Sequence, residues 1–369
     1  MPARHPVSSL LPDFPWDTIA SAKARAAAHP DGIVDLSVGT PVDPVDPLIR
    51  AALSAVAEVP GYPATHGTPE LRAAAVAALE RRFGITGVAP EAVLPAIGTK
   101  EVIAGLPRLL GLGADHLVVI PEVAYPTYEV GALLAGTRIL RADGVTRLGP
   151  ESPALIFLNS PSNPSGKVLG VDHLRKVVEF ARERGAIVAS DECYLGLAWD
   201  EPAVSILDPR VCDGDHTGLL AIHSLSKTSN LAGYRAGFVT GDPALVRELL
   251  EVRKHAGMIM PFPVQSAMTA ALNDDVHEAA QRERYRVRRE ILRKALEHAG
   301  FRIDHSVAGL YLWSTREENG RTTLDWLAER GILAAPGDFY GPTGANHVRI
   351  ALTATDERIS AAAKRLIAD

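Results

Sequence analysis

The chain has 369 residues, 47% apolar and 22% charged, with a formal net charge of −6. Such a length supplies a large domain plus a smaller one with ample core, and the composition is that of an ordinary globular protein. The acidic balance argues against a nucleic-acid surface.

The N-terminal stretch holds no uninterrupted apolar segment, and no run of about 18 apolar residues occurs anywhere. Neither a leader nor a membrane span is expected, and the protein is expected in the cytoplasm. Cys193 and Cys212 have neither CxxC spacing nor a histidine partner pattern. Reduced, buried thiols are expected, and no metal site.

Residues 1–45 are Pro-rich and irregular, apart from an Ala-rich helical piece at 18–29. Leu10, Leu11, Phe14 and Trp16 are too apolar for a free tail. An arm follows, packed either on another surface or on its own domain. Helical spacing then occupies 47–59 and 69–84. Apolar runs at 93–97, 116–120, 137–142, 154–159, 186–191, 219–224 and 237–241 alternate with helices. That alternation predicts an α/β fold with a mostly parallel sheet covered on both faces. Ligands in such sheets sit beyond the carboxyl ends of the strands.

A charged helix over 275–299 reads as a solvated face. Short strands at 301–304, 310–313, 332–336 and 347–352, with helices at 322–330 and 355–367, predict a smaller α+β domain. The expected division is 1–45 for an arm and part of the small domain, 46–274 for the large domain, and 275–369 for the small domain.

Candidate functional residues fall where the sheet argument puts them. Gly98-Thr99-Lys100 precedes a helical stretch, whose first amides can hold an anion, although a plain cap explains it as well. Residues 159–166, NSPSNPSG, make a rigid turn after a strand. Asp191 ends a strand; buried, it needs a cation nearby, and a cap or loop anchor is the alternative.

Residues 221–237, AIHSLSKTSNLAGYRAG, put Lys227 between small hydroxyl residues at a strand end. A lysine whose ammonium form is disfavoured is a nucleophile that forms Schiff bases with carbonyls. Arg235, beside glycines, can bring a guanidinium fork to a phosphate. Carbonyl and phosphate on one small molecule suggest pyridoxal 5′-phosphate. Arg349, between Val348 and Ile350, is either an edge-strand surface residue or a buried anion clamp.

The stretch SLSKT-x-N-x-AGYRAG closely resembles the lysine signature of the class I/II aminotransferases, which are fold-type I pyridoxal-phosphate enzymes. The likeness runs from about residue 32 to the C-terminus, with its elements in family order. It implies a large domain with a mostly parallel seven-stranded sheet and a smaller α+β domain. It implies Lys227 as the cofactor-bonded lysine and Asp191 as partner of the protonated ring nitrogen. Asn163, in NPSG with a cis Asn163–Pro164 bond, and Tyr194 would bond the cofactor's phenolic oxygen. Tyr125 would stack on the ring, although Val123 stands where the family commonly has proline. Thr99, Lys100, Ser224, Ser226 and Arg235 would form the phosphate cup.

GYPATHGTPELR resembles a further family signature. By it, Tyr62 would reach the phosphate of a neighbouring subunit, implying a homodimer with shared sites. Gly39, Asn163 and Arg349 would bind the substrate α-carboxylate.

The opening residues, PGYPATHGTPELR and VRIALTATDERI are similar to those of actinobacterial succinyldiaminopimelate transaminases. That likeness implies glutamate/2-oxoglutarate as donor pair, with Lys100 as a candidate contact for a distal anion. An aminotransferase of broad 2-oxo acid specificity and a C–S lyase on the same fold are the alternatives. Both implied substrates carry a distal anion, so the likeness implies a polar, cationic distal pocket, and the aromatic content of 5% argues against a large aromatic one.

Overall fold

In the computed structural model, which describes residues 6–368, one seven-stranded sheet dominates. Its spatial order is Val93–Ile97, Ala236–Gly241, Leu219–Ser224, Ile187–Asp191, Leu155–Asn159, Leu117–Ile120, Arg138–Arg141. Only Ala236–Gly241 runs antiparallel to its neighbours. The central strands are buried over nearly their whole length, which is why they read as apolar runs. Leu71, Leu174, Val177 and Met268 form an apolar layer on one face; Val102, Leu106, Tyr128 and Leu249 form one on the other.

A second core gathers Ile19, Val34 and Leu36 from the N-terminal part with Leu292, Leu312, Leu324, Ile350 and Leu366. Beside it, strands Ala335–Pro336, Val348–Ala351, Tyr311–Thr315 and Arg302–Asp304 form a four-stranded antiparallel sheet. The segment 332–336, expected as one strand, is two. Ile332–Leu333 pairs in parallel with Val34–Asp35, and Ala335–Pro336 pairs with Val348–Ala351. The chain crosses between two sheets at buried Ala334.

The charged helix corrects its sequence reading. Val276–His298 is not simply a solvated face: His277, Gln281, Tyr285, Arg288, Leu292 and Ala295 are buried along one stripe. Arg288 is 2% exposed because Asp43 and Asp356 engage its guanidinium at 2.7 Å. High charge hid a packed stripe because its buried cations are ion-paired.

The N-terminal arm lies partly on its own chain. Trp16 packs 5.4 Å from Phe339, while Leu10 and Phe14 stay exposed. Among the described residues, no helix is long and apolar enough to cross a membrane.

Candidate active site

The ends of the strands Leu155–Asn159, Ile187–Asp191 and Leu219–Ser224 converge on one crevice, which the second core closes through Tyr311 and Arg349. Lys227 stands just past Leu219–Ser224, and its Nζ donates to the Gly39 carbonyl. Burial pushes its pKa down; Tyr311 and Cys193 oppose that shift, and Arg349 and Arg235 add to it. A free amine is thereby favoured.

The long helix grips this loop from behind. Ser229 Oγ is 2.8 Å from His277 Nε2, Asn230 Nδ2 donates to Gln281 Oε1 at 3.0 Å, and Tyr285 OH donates to the Lys227 carbonyl at 3.3 Å. These three helix residues are spaced four apart, so they share one face.

Asp191 ends its strand at 5% exposure. Burial raises its pKa, while the Cys193 thiol, the Tyr128 hydroxyl and the Cys193 amide hold it back. Tyr128 OH donates to Oδ2 at 2.7 Å, and Cys193 N–H to Oδ1 at 3.2 Å. Among the described residues no cationic side chain pairs with this carboxylate. A buried carboxylate without a cation is costly, so a cationic atom on a ligand would relieve it.

The turn after Leu155–Asn159 is braced by Asn159. Its Oδ1 accepts from Asn163 N–H at 2.7 Å, and its Nδ2 donates to the Asp191 carbonyl at 2.9 Å. Both Ser160–Pro161 and Asn163–Pro164 are cis.

Arg349 is 3% exposed, and is therefore not an edge-strand surface residue. Nη1 donates to Asn163 Oδ1 at 2.9 Å and Nη2 to the Ser37 carbonyl at 2.6 Å. Its guanidinium lies 4.0 Å from the Tyr311 ring centroid and 5.1 Å from that of Tyr340. Buried Nε has no acceptor, and no carboxylate pairs with this arginine among the described residues. Tyr194 OH lies 3.0 Å from Tyr311 OH, and burial raises the Tyr194 pKa. Gly39 admits no side chain, since a Cβ there would come 2.3 Å from Tyr311 OH.

Thr99 opens the helix Thr99–Leu109, and no side chain caps it. Gly98, at φ 77°, lies against the Arg235 guanidinium; a Cβ there would sit 2.1 Å from Nη2. Thr99 Oγ1 accepts from Cys193 Sγ at 3.3 Å, and Ser224 Oγ accepts from Ser226 N–H at 3.1 Å. Tyr125 meets Tyr128 edge-on at 5.9 Å, and burial pushes its hydroxyl pKa up to about 12.

A phosphorylated pyridine aldehyde fits this donor set. The uncapped helix start, the serines and exposed Arg235 suit a phosphate. Unpaired Asp191 suits a pyridinium, and the free amine of Lys227 suits an aldehyde.

Two sequence candidates lie apart. Lys100 is exposed, with Nζ 6.0 Å from the Phe14 ring centroid. Tyr62 is 100% exposed and contacts nothing in this crevice of its own chain. Tyr125, Tyr194, Tyr311, Trp313 and Tyr340 gather around this site, so a low overall aromatic content is concentrated here. Tyr128, Tyr311 and Tyr340 were missed. Only Tyr128 carried a signal, three residues after Tyr125 at a helix start.

The profile described as Aminotransferase class I and II matches residues 31–366. A Mycobacterium tuberculosis protein named probable aminotransferase Rv1178 is 70% identical over 365 residues, 99% of this chain and 87% of that protein. The 4-dedimethylamino-4-oxo-anhydrotetracycline transaminase OxyQ of Streptomyces rimosus is 57% identical over 96% of this chain and 99% of its own. The solved structure of a probable N-succinyldiaminopimelate aminotransferase from Thermus thermophilus superposes with a TM-score of 0.86, at 27% identity, over 96% of this chain and 99% of that one.

Proposed function

The chain belongs to the class I and II aminotransferases, and from that premise we propose that it exchanges the amino group between glutamate and the succinylated 2-amino-6-oxopimelate. Pyridoxal phosphate, the family's cofactor, supplies an aldehyde for the amino group and a protonated ring that withdraws electrons from Cα. Thr99, Ser224, Ser226, Arg235 and the first amides of helix Thr99–Leu109 would hold its phosphate. Asp191 would face the ring nitrogen, Asn163 and Tyr194 the ring hydroxyl, and Tyr125 the ring face.

Arg349 is the observation that carries the substrate side. A buried guanidinium between two tyrosine rings, without a carboxylate, is an anion site left open. Leaving a buried charge unpaired costs about 3–5 kcal/mol, which a substrate α-carboxylate offsets through a bidentate fork. That fork turns Cα toward Lys227. Lys227 Nζ, kept unprotonated by burial, would take the Cα proton and deliver it to the carbon that was the cofactor's aldehyde; such general-base catalysis supplies roughly 10²–10⁴-fold in rate. Arg349→Lys should raise KM roughly tenfold or more for both amino donor and acceptor, since both present an α-carboxylate.

Lys100 supports the distal assignment. It stands beside Phe14 and pairs with no carboxylate among the described residues, so it suits the far carboxylate of glutamate or of a succinyl group. The name of the Thermus thermophilus neighbour points the same way. A second reading rests on the Streptomyces rimosus relative, whose name gives an anhydrotetracycline substrate. Phe14, Trp16 and Phe339, with centroids 5.6 and 5.4 Å apart, form an aromatic ledge that suits a ring ketone.

Steady-state kinetics on the holoenzyme separate the two. The succinylated acceptor with glutamate should exceed phenylalanine, tyrosine and the tetracycline ketone in kcat/KM, and Lys100→Ala should raise its KM roughly tenfold. A better rate with an aromatic amino acid or the ring ketone removes the substrate assignment and leaves the aminotransferase.

Exposed Tyr62 would complete the phosphate cup of a second copy. Mixing Tyr62→Ala with Lys227→Ala protein should then restore activity, because one hybrid site carries neither lesion. Absence of rescue after verified subunit exchange counts against shared sites.

A further inference from the structure

Tyr128 lies in the first turn of the helix Thr127–Ala135, fully buried, with its hydroxyl donating to Asp191 Oδ2 at 2.7 Å. Its ring stacks 5.1 Å from Phe157 and meets Tyr125 edge-on, so packing fixes where the hydroxyl points. We infer that Tyr128 is a positioning residue for transamination: its O–H keeps Asp191 ionised and oriented, so that the proton shared with the cofactor ring rests on the ring nitrogen. This rests on the assignment of Asp191 to that nitrogen.

A buried carboxylate tends to take up a proton, and every donor aimed at it opposes that tendency. The titratable groups facing Asp191 are Tyr128, Tyr125 and Cys193, all neutral when protonated. Glu192, next in sequence, turns away and accepts from the Ile206 amide at 2.7 Å. No side chain but Tyr128 places a hydroxyl donor on either carboxylate oxygen of Asp191 among the described residues. Without it, Asp191 would draw the proton from the ring, and a neutral ring withdraws fewer electrons from Cα. One hydrogen bond to a charged group changes proton affinity about ten- to a hundredfold. A tyrosine that merely fills the core would alter thermal stability and leave the proton where it is.

The test is Tyr128→Phe, which keeps the ring and removes one oxygen. The Asp191 carboxyl is followed by ¹³C NMR in the apoprotein, and the ring nitrogen by ¹⁵N NMR in enzyme loaded with ¹⁵N-labelled pyridoxal phosphate. The expected result is a carboxyl midpoint at higher pH and a ¹⁵N signal moved toward the unprotonated position. Turnover should fall about ten- to a hundredfold with little change in KM for glutamate. Tyr128→3,5-difluorotyrosine, a stronger donor of nearly the same shape, should move the carboxyl midpoint the opposite way; it serves also if the phenylalanine variant folds poorly. Asp191→Asn is the control. If it moves the ¹⁵N signal and the Tyr128 variants move nothing, the inference is overturned and Asp191 keeps its role. If Asp191→Asn also leaves the ¹⁵N signal in place, the Asp191 assignment fails and the inference falls with it.

Discussion

Lys227→Ala is expected to lower turnover roughly 10⁴-fold or more, because in the proposed mechanism one residue would supply both the amine that bonds the cofactor and the base at Cα. The fold should survive, since Lys227 Nζ makes a single hydrogen bond, to the Gly39 carbonyl. Pyridoxal phosphate should still bind through its phosphate, now without a covalent link. Borohydride reduction followed by peptide mass analysis should find the reduced cofactor on Lys227 in the wild type and nowhere in the variant. Turnover within tenfold of wild type would remove the central assignment. Burial works in favour of this residue: desolvation disfavours the ammonium form, so more of the amine is free at neutral pH than for an exposed lysine.

Asp191→Ala is expected to reduce kcat by about 10²–10³-fold, the range seen when one preorganised electrostatic group is removed. Cofactor occupancy should fall far less, because the proposed phosphate contacts at Thr99 and Arg235 would be untouched. Asp191→Glu should retain part of the rate. Equilibrium dialysis with pyridoxal phosphate, alongside steady-state kinetics, separates the two quantities. A variant that loses occupancy and rate in parallel would make Asp191 a binding residue only. The physical reason for a large effect is its setting: a carboxylate with two hydrogen bonds, almost no exposure and, among the described residues, no side-chain cation acts on a ligand charge with little screening by water.

The parallel sheet was legible because its strands are buried on both faces, and burial writes an apolar run into the sequence. Local punctuation located the strand ends, and Asp191, Asn163 and Lys227 sit at the end of such runs or a few residues beyond. The long helix Val276–His298 was misjudged for the opposite reason. Its buried arginines Arg288 and Arg289 look solvated in sequence, since nothing local reveals that Asp43, Asp356 and Asp200 come from distant segments to pair with them.

The same division governs the site. Lys227, Arg235 and the NPSG turn belong to contiguous stretches whose chemistry is local, so residue type and spacing marked them as candidates and the family resemblance supplied the roles expected of them. Arg349 was ambiguous in sequence between surface and clamp. Its burial follows from separated segments: Ser37 and Asn163 accept its hydrogen bonds, and Tyr311 and Tyr340 flank it. Tyr311, Tyr340 and the hydroxyl of Tyr128 carried little or no readable signal, because a tyrosine in an apolar stretch looks like any core residue until its neighbours are known. Short-range periodicity and turn chemistry are properties of adjacent residues and survive in the linear chain. Desolvation, ion pairing across segments and the direction of a buried hydroxyl exist only once residues far apart in sequence share one interior.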